Sequence, residues 1–233
     1  MSHNAVTTPL SAAAQICGDN ANVPVLQPYS FDIERVCDQL EQQGFAHTNN
    51  LLSEELLKAL YGEIKQLDEN YALQSAGIGR GEDHLVNKAV RSDKIHWIEG
   101  DTFAQCQFQE KLEQIRIDIN YRLMLGLFES ESNFAVYRKG DFYQKHLDSF
   151  KGQKNRILSM VIYLNPEWSE SDGGLLNIYK HEESETPFMC VVPTWGTAVL
   201  FLSEDVPHEV TPAYKNRYSI ATWFRCNCDN LLL

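Results

Sequence analysis

Basic charge is scarce in this chain of 233 residues: 20 Lys and Arg stand against 32 Asp and Glu, a formal net charge of −12. A surface that acidic repels phosphate backbones and anionic bilayers unless it carries a concentrated basic stripe, which excludes nucleic acid and membrane as first-choice partners. Long apolar runs are missing too. No stretch approaches the roughly 20 apolar residues of a membrane-spanning helix. Residues 1–15 have neither the basic nor the apolar block of a secretory leader. Close-set cysteines are equally few. Cys17, Cys37, Cys106 and Cys190 are scattered, and the one-residue gap between Cys226 and Cys228 suits neither a zinc knuckle nor a redox pair. Reduced, structural thiols and a cytoplasmic location are the expectation.

What is present is ordinary for a folded domain, with 43% hydrophobic and 22% charged residues. Residues 1–30 are small and polar, carry Pro9, Pro24 and Pro28, and read as a flexible N-terminal arm. Helical spacing then begins. Ile33, Val36, Cys37 and Leu40 recur at i, i+3, i+4 and i+7, and Gly44 is the stop. Ser53 is the N-cap of a second helix with Leu56, Leu57, Leu60, Ile64 and Leu67 inward. A third runs over 103–125, burying Phe108, Leu112, Ile115, Ile119 and Leu123, and ends at Gly126. Between the second and third, 95–98 reads as a strand and 74–91, with Gly77, Gly79 and Gly81, as a long loop. After Gly126 come short β-branched and aromatic runs at 133–137, 156–164, 175–179, 189–192, 197–202, 208–211 and 217–224, with turn residues between. Strands at that spacing predict an antiparallel sandwich or barrel. The expected architecture is α+β: one domain over 31–233, with helical support at 31–126 and a β core at 127–226.

The chemistry concentrates in that β core. In His146-Leu147-Asp148 the imidazole and carboxylate sit at i and i+2, which on a strand share one face. His208 follows Asp148 by 60 residues, and Arg217 follows His208 by nine, at the start of the last strand. Two His and one carboxylate can occupy one side of an octahedral Fe(II) and leave three positions open. A strand Arg with its planar fork suits bidentate pairing with a carboxylate. Alternation adds Ser159, Val161 and Tyr163 on one face of 156–164, and Arg217, Ser219, Ala221 and Trp223 on one face of the last strand. Polar and small residues around one Arg and one Tyr suit a lined pocket better than a dry core.

The same residues carry a family resemblance. Tyr163-Leu164-Asn165-Pro166-Glu167-Trp168, Gly173-Gly174-Leu175-Leu176, and Pro207-His208-Glu209-Val210-Thr211-Pro212-Ala213-Tyr214 followed by Arg217-Tyr218 resemble the Fe(II)- and 2-oxoglutarate-dependent oxygenases of the prolyl 4-hydroxylase type. Arg91-Ser92-Asp93-Lys94-Ile95-His96-Trp97-Ile98-Glu99-Gly100 adds to a likeness that spans 33–225. It is closest to the prolyl hydroxylases acting on hypoxia-inducible factor and to their bacterial counterparts. The resemblance implies a double-stranded β-helix (jelly roll) in which His146, Asp148 and His208 form the catalytic Fe(II) site. It implies that Arg217 and Tyr163 hold the distal carboxylate of 2-oxoglutarate, with Tyr137 nearby. It further implies O₂ as cosubstrate, ascorbate as reductant, and succinate and CO₂ as products. The substrate it implies is a prolyl residue in a flexible protein segment, with elongation factor Tu as the bacterial candidate. The 74–91 loop becomes a lid, Arg91 and Trp97 face substrate, and an Asp93–Arg156 ion pair anchors the loop to the barrel.

Plainer readings stand beside these. His96 and Trp97 equally fit strand packing, His47, His84 and His181 fit solvated positions, and Trp168 and Trp195 fit caps on the sandwich. Arg225, eight residues after Arg217, sits too far along for the second arginine of nucleic-acid demethylases in the same superfamily. A non-catalytic iron-binding sandwich, used as a sensor or scaffold, is the alternative from another class. Charge is also uneven: over 138–156, Arg138, Lys139, Lys145, Lys151, Lys154 and Arg156 face only Asp141 and Asp148. That composition predicts an acidic body with a basic mouth for an anionic cosubstrate.

Overall fold

The computed structural model describes residues 32–77, 87, 89–149 and 155–227. Chain order is α1 (Ile33–Gln43), β1 (Phe45–Thr48), α2 (Glu54–Glu69), β2 (Gln74–Ser75), β3 (Lys94–Trp97), α3 (Phe103–Leu123), β4 (Glu129–Tyr137), β5 (Tyr143–His146), β6 (Arg156–Tyr163), β7 (Leu176–Ile178), β8 (Met189–Val191), β9 (Ala198–Leu202), β10 (His208–Val210) and β11 (Arg217–Arg225).

Local chemistry sets the helix ends. The side chains of Asp32, Ser53 and Thr102 accept the backbone N–H of Arg35, Leu56 and Gln105, capping α1, α2 and α3. Gly44 stops α1 at φ 79°, donating its N–H to the Leu40 carbonyl. α3 ends at Leu123, two residues short of the expected 125. Met124 turns left-handed at φ 50°, and the Asn120 amide takes over the backbone N–H and C=O of Leu127. That exchange peels the chain off the helix before Gly126.

Two antiparallel sheets follow. The larger runs β1-β9-β6-β11-β4-β3-β2 and the smaller β5-β10-β7-β8. Leu158, Met160 and Ile162 on β6 join Ile220 and Phe224 on β11 in a core shared with Leu40, Leu60, Ile64, Phe108 and Ile115 of the helices. The opposite faces of the same strands hold Tyr163 and Val161, which pack toward Ile178 and Val210 of the smaller sheet. One sheet thus buries aliphatic residues against helices and turns its polar-lined face to the second sheet, as alternation on β6 predicts. This is the double-stranded β-helix.

Two features depart from expectation. Besides the expected strand β3, the segment read as helical support supplies β1 and β2, which lie at the two ends of the larger sheet. β1 and β2 have only four and two residues and hold no run of β-branched residues to mark them in the sequence. Cys37, Cys106 and Cys190 are not in disulfides, but Cys226 is disulfide-bonded, against the expectation of reduced thiols throughout. Cys226 lies just past β11, and its partner is outside the described residues. Residues 1–30 and most of the candidate lid (78–86 and 88) are also outside them. Among the described residues, no helix is long and apolar enough to cross a membrane.

Helix and sheet are tied at Asp68, a buried carboxylate near the end of α2 that accepts hydrogen bonds from Arg138 Nη2 and Tyr218 Oη. Replacing Asp68 by Ala leaves both donors short of a charged acceptor. Urea denaturation of Asp68→Ala should show a loss of about 1–3 kcal/mol; an unchanged midpoint would mean that this tie does not hold α2 to the sheet.

Candidate active site

β5 and β10 are paired so that His146 lies directly across from His208, with ring centroids 4.3 Å apart. His146 Nδ1 is 2.7 Å from the Gln144 carbonyl and His208 Nδ1 is 3.0 Å from the Val206 carbonyl. A carbonyl only accepts, so each Nδ1 carries the proton and each Nε2 keeps its lone pair. Asp148 Oδ1 is 3.4 Å from His146 Nε2 and 3.8 Å from His208 Nε2. Burial, then the neighbouring His146, lowers His208 to about 4, so its ring is neutral near pH 7. Burial also resists a charge on Asp148, yet the flanking His208, His146 and Arg156 hold its carboxyl well below the usual range. The resulting pair is an ionised carboxylate facing a neutral imidazole.

Two imidazole Nε2 atoms and a carboxylate oxygen therefore converge, their ligand atoms all within 4.8 Å of one another. With bonds of about 2.1 Å, a first-row divalent cation needs neighbouring ligands about 3 Å apart, so a small inward shift completes the site. The residues fit Fe(II). One expectation needs correction: Asp148 is not on the strand that ends at His146. The N–H groups of Asp148 and Ser149 both bond the Ser203 carbonyl, at 3.1 and 3.2 Å, and this bend brings the carboxylate beside His146. Asp148 Oδ2 accepts from Ser159 Oγ at 2.6 Å and Trp223 Nε1 at 2.9 Å.

The other end of the pocket is built around Arg217, only 1% exposed. Its Nε donates to the Gly174 carbonyl at 2.9 Å and Nη1 to Ser219 Oγ at 3.2 Å. Its Cζ is 4.9 Å from the ring centroids of both Tyr137 and Tyr163. The Tyr163 hydroxyl is buried without a hydrogen-bond partner. Burial, opposed by Arg217, pushes that phenol up to about 12, so it remains a donor. A buried guanidinium beside an unused phenol O–H is a receptor for a carboxylate. Arg217, the metal-ligand triad and Tyr137 line one continuous pocket.

Residues 132–225 match the model of the 2OG-Fe(II) oxygenase superfamily. A prolyl-4-hydroxylase crystal structure from Pseudomonas putida is 36% identical, covers 83% of this chain and 98% of its own, and superposes with a TM-score of 0.75. The chain belongs to the prolyl hydroxylases of the 2OG-Fe(II) oxygenase superfamily. Prolyl hydroxylase EGLN3 of Mus musculus is 28% identical over 82% of each chain. A Trichoplax adhaerens prolyl hydroxylase, solved with a hypoxia-inducible-factor oxygen degradation domain peptide fragment, is 26% identical with a TM-score of 0.73, over 83% of this chain and 88% of its own. As a member of this family, the enzyme is a 2-oxoglutarate-dependent dioxygenase that works with Fe(II) and O₂.

The expected ion pair between Asp93 and Arg156 does not form. Asp93 is taken by Arg91 at 2.6 Å and Arg156 by Glu131 at 2.7 Å. Arg91 is two residues from Asp93 in sequence and reaches it with both Nε and Nη2. That bidentate local contact outcompetes a longer-range partner. The same kind of pairing offsets two charges of the expected basic mouth. Arg138 is held by Asp68, Arg156 by Glu131, and Lys145 Nζ by the Ser184 carbonyl. Lys151 and Lys154 lie outside the described residues. Trp97 is 43% exposed at the rim, its ring 6.5 Å from that of Trp223.

Sequence reasoning placed Ser159 and Trp223 on the pocket faces but gave them no task. It missed Tyr143, whose ring stacks on His146 at 3.5 Å beneath the Arg91 guanidinium. Alternation along β6 and β11 was the signal for Ser159 and Trp223, whereas Tyr143, three residues before His146, falls outside it because the β5–β10 register shifts there. Gly174 is another constraint: at φ 62°, an added Cβ would fall 2.9 Å from Arg217 Cδ. Gly174→Ala should therefore displace Arg217 and weaken 2-oxoglutarate binding by about tenfold or more. Calorimetric titration of the metal-loaded protein checks this; unchanged affinity would show that Arg217 tolerates the shift.

Proposed function

We propose that this enzyme hydroxylates a prolyl residue in a flexible segment of a protein, with elongation factor Tu as the leading candidate, in the cytoplasm. The working unit is residues 31–233. 2-Oxoglutarate, O₂ and the substrate C–H are converted to succinate, CO₂ and the hydroxylated product, with ascorbate as the supporting reductant. The observation that carries this reading is a pocket lined by both the His146, Asp148 and His208 cluster and the buried Arg217, with the Tyr163 ring 4.9 Å from that guanidinium.

When bound by His146, Asp148 and His208, Fe(II) supplies the activation of O₂ and the oxidising power. The protein supplies position. Arg217 and the Tyr163 O–H take the distal carboxylate of 2-oxoglutarate, and Tyr137 walls the other side of the guanidinium. Gln144 and Val206 hold the two imidazoles in the tautomer that presents Nε2. Trp97, Arg91, Asp93 and Arg156 form the substrate side. The half-exposed Trp97 offers an apolar face to a pyrrolidine. The 36% identical bacterial prolyl-4-hydroxylase supports a prolyl substrate, and the acidic net charge disfavours nucleic acid.

Succinate release should depend on Fe(II), 2-oxoglutarate and elongation factor Tu together, with a gain of one oxygen on a proline by mass spectrometry. Asp148→Ala should abolish turnover. Arg217→Ala should weaken 2-oxoglutarate roughly 100-fold, as expected when one partner of a buried charge pair is removed. Turnover with alkylated oligonucleotide and with no Pro-containing protein would overturn the substrate assignment.

Tyr163→Phe separates binding from folding. Removing a hydroxyl that has no partner should leave the stability of the free protein level or slightly higher, while 2-oxoglutarate affinity falls by about three- to tenfold. A destabilised free protein with unaltered affinity would assign that hydroxyl to the fold instead.

A further inference from the structure

Ser159 and Trp223 are directly opposite each other on β6 and β11, two central strands of the larger sheet. Both donate to the same atom, Asp148 Oδ2, at 2.6 and 2.9 Å. Neither donor is free to drift. A carboxylate can only accept, so the Ser159 proton points to Asp148, and Ser203 Oγ at 2.9 Å must be the donor to Ser159. The Trp223 ring is covered by the Arg156 guanidinium, with Cζ 3.8 Å from its centroid, and Arg156 is held in turn by Glu131. The Ser203 carbonyl also fixes the Asp148 backbone. Oδ2 is thus committed to the sheet, and Oδ1 is the oxygen turned toward the two Nε2 atoms.

We infer that Ser159 and Trp223 are positioning residues that keep Asp148 a one-oxygen metal ligand. The inference rests on the metal assignment above and goes beyond it. An octahedral ion held by two imidazoles and one carboxylate oxygen keeps three positions open, two for a chelating keto acid and one for O₂. If Oδ2 swung round to bind as well, one of those positions would be lost. Two hydrogen bonds from adjacent strands occupy Oδ2 and prevent the swing. Ala221 and Val161, the next cross-strand pair on this face, carry no polar hydrogen and cannot substitute for them.

The test uses the full-length, metal-free protein and Mn(II). Affinity is measured by calorimetry, and the number of metal-bound waters by water-proton relaxation. Wild type should show three coordinated waters. Ser159→Ala and Trp223→Phe should each weaken Mn(II) by about tenfold, within the range for supporting hydrogen bonds around metal ligands. The double variant should lose one coordinated water, and Ser159→Thr, which keeps the hydroxyl, should restore both readouts. Trp223→Phe keeps the ring and answers the question if the serine variant does not fold. Asp148→Ala separates the two claims. If it binds Mn(II) like wild type, the metal assignment itself fails. If it loses Mn(II) while Ser159→Ala and Trp223→Phe keep wild-type affinity and water count, only the positioning role fails.

Discussion

Burying a guanidinium is the constraint on which this structure turns. Arg217 sits at 1% exposure at the head of β11, and isolated charges are expensive to remove from water. The surrounding residues answer that cost in part, with a carbonyl from Gly174, a hydroxyl from Ser219 and the faces of two tyrosines. Each of these needs its own placement. Gly174 must be a glycine in a left-handed turn, Tyr137 and Tyr163 must come from strands on either side of β11, and β11 must lie in the middle of its sheet. The helices serve the same end by sealing the opposite face with aliphatic side chains. The fold is a way of keeping one cation dry and pointed at an oxyacid.

The metal end obeys different physics. Its ligands come from the smaller sheet and the bend after β5, while the groups that steer Asp148 come from the larger sheet. The pocket therefore depends on the spacing between two sheets, which the packed layer of Phe201, Ile178, Val191 and Val210 maintains. Phe201 does this at close range, its ring centroid 4.4 Å from that of His208.

Much of this was legible in the amino-acid sequence because the relevant signals are periodic or chemically rare. The three helices follow from i, i+4 spacing and from Ser53 and Gly44 at their ends. The metal cluster and Arg217 follow from unusual residue types on strand-like runs. Less visible were features decided by three-dimensional choice among similar partners. Which acid Arg91 and Arg156 would select depends on reach and direction, and the chain offers several candidates. The bend that takes Asp148 off its strand depends on one carbonyl, that of Ser203, which lies 55 residues away in sequence. β1 and β2 went unread because Phe45-Ala46-His47-Thr48 and Gln74-Ser75 hold no run of β-branched residues.

β5 has a further consequence. It is the outermost strand of the smaller sheet, four residues long, paired to β10 on one side. Its other side is met by Val90 and Ala89, through the Gln144 backbone and side chain, and by a bridge between Arg91 and Tyr143. Short edge strands are the first parts of a sheet to open, at free energies well below global unfolding. Here that strand carries His146, and Asp148 follows immediately. A metal joining them to His208 would act as a cross-link between an edge strand and its neighbour. Amide exchange along β5 therefore becomes a local gauge of how often the two halves of the ligand set come apart.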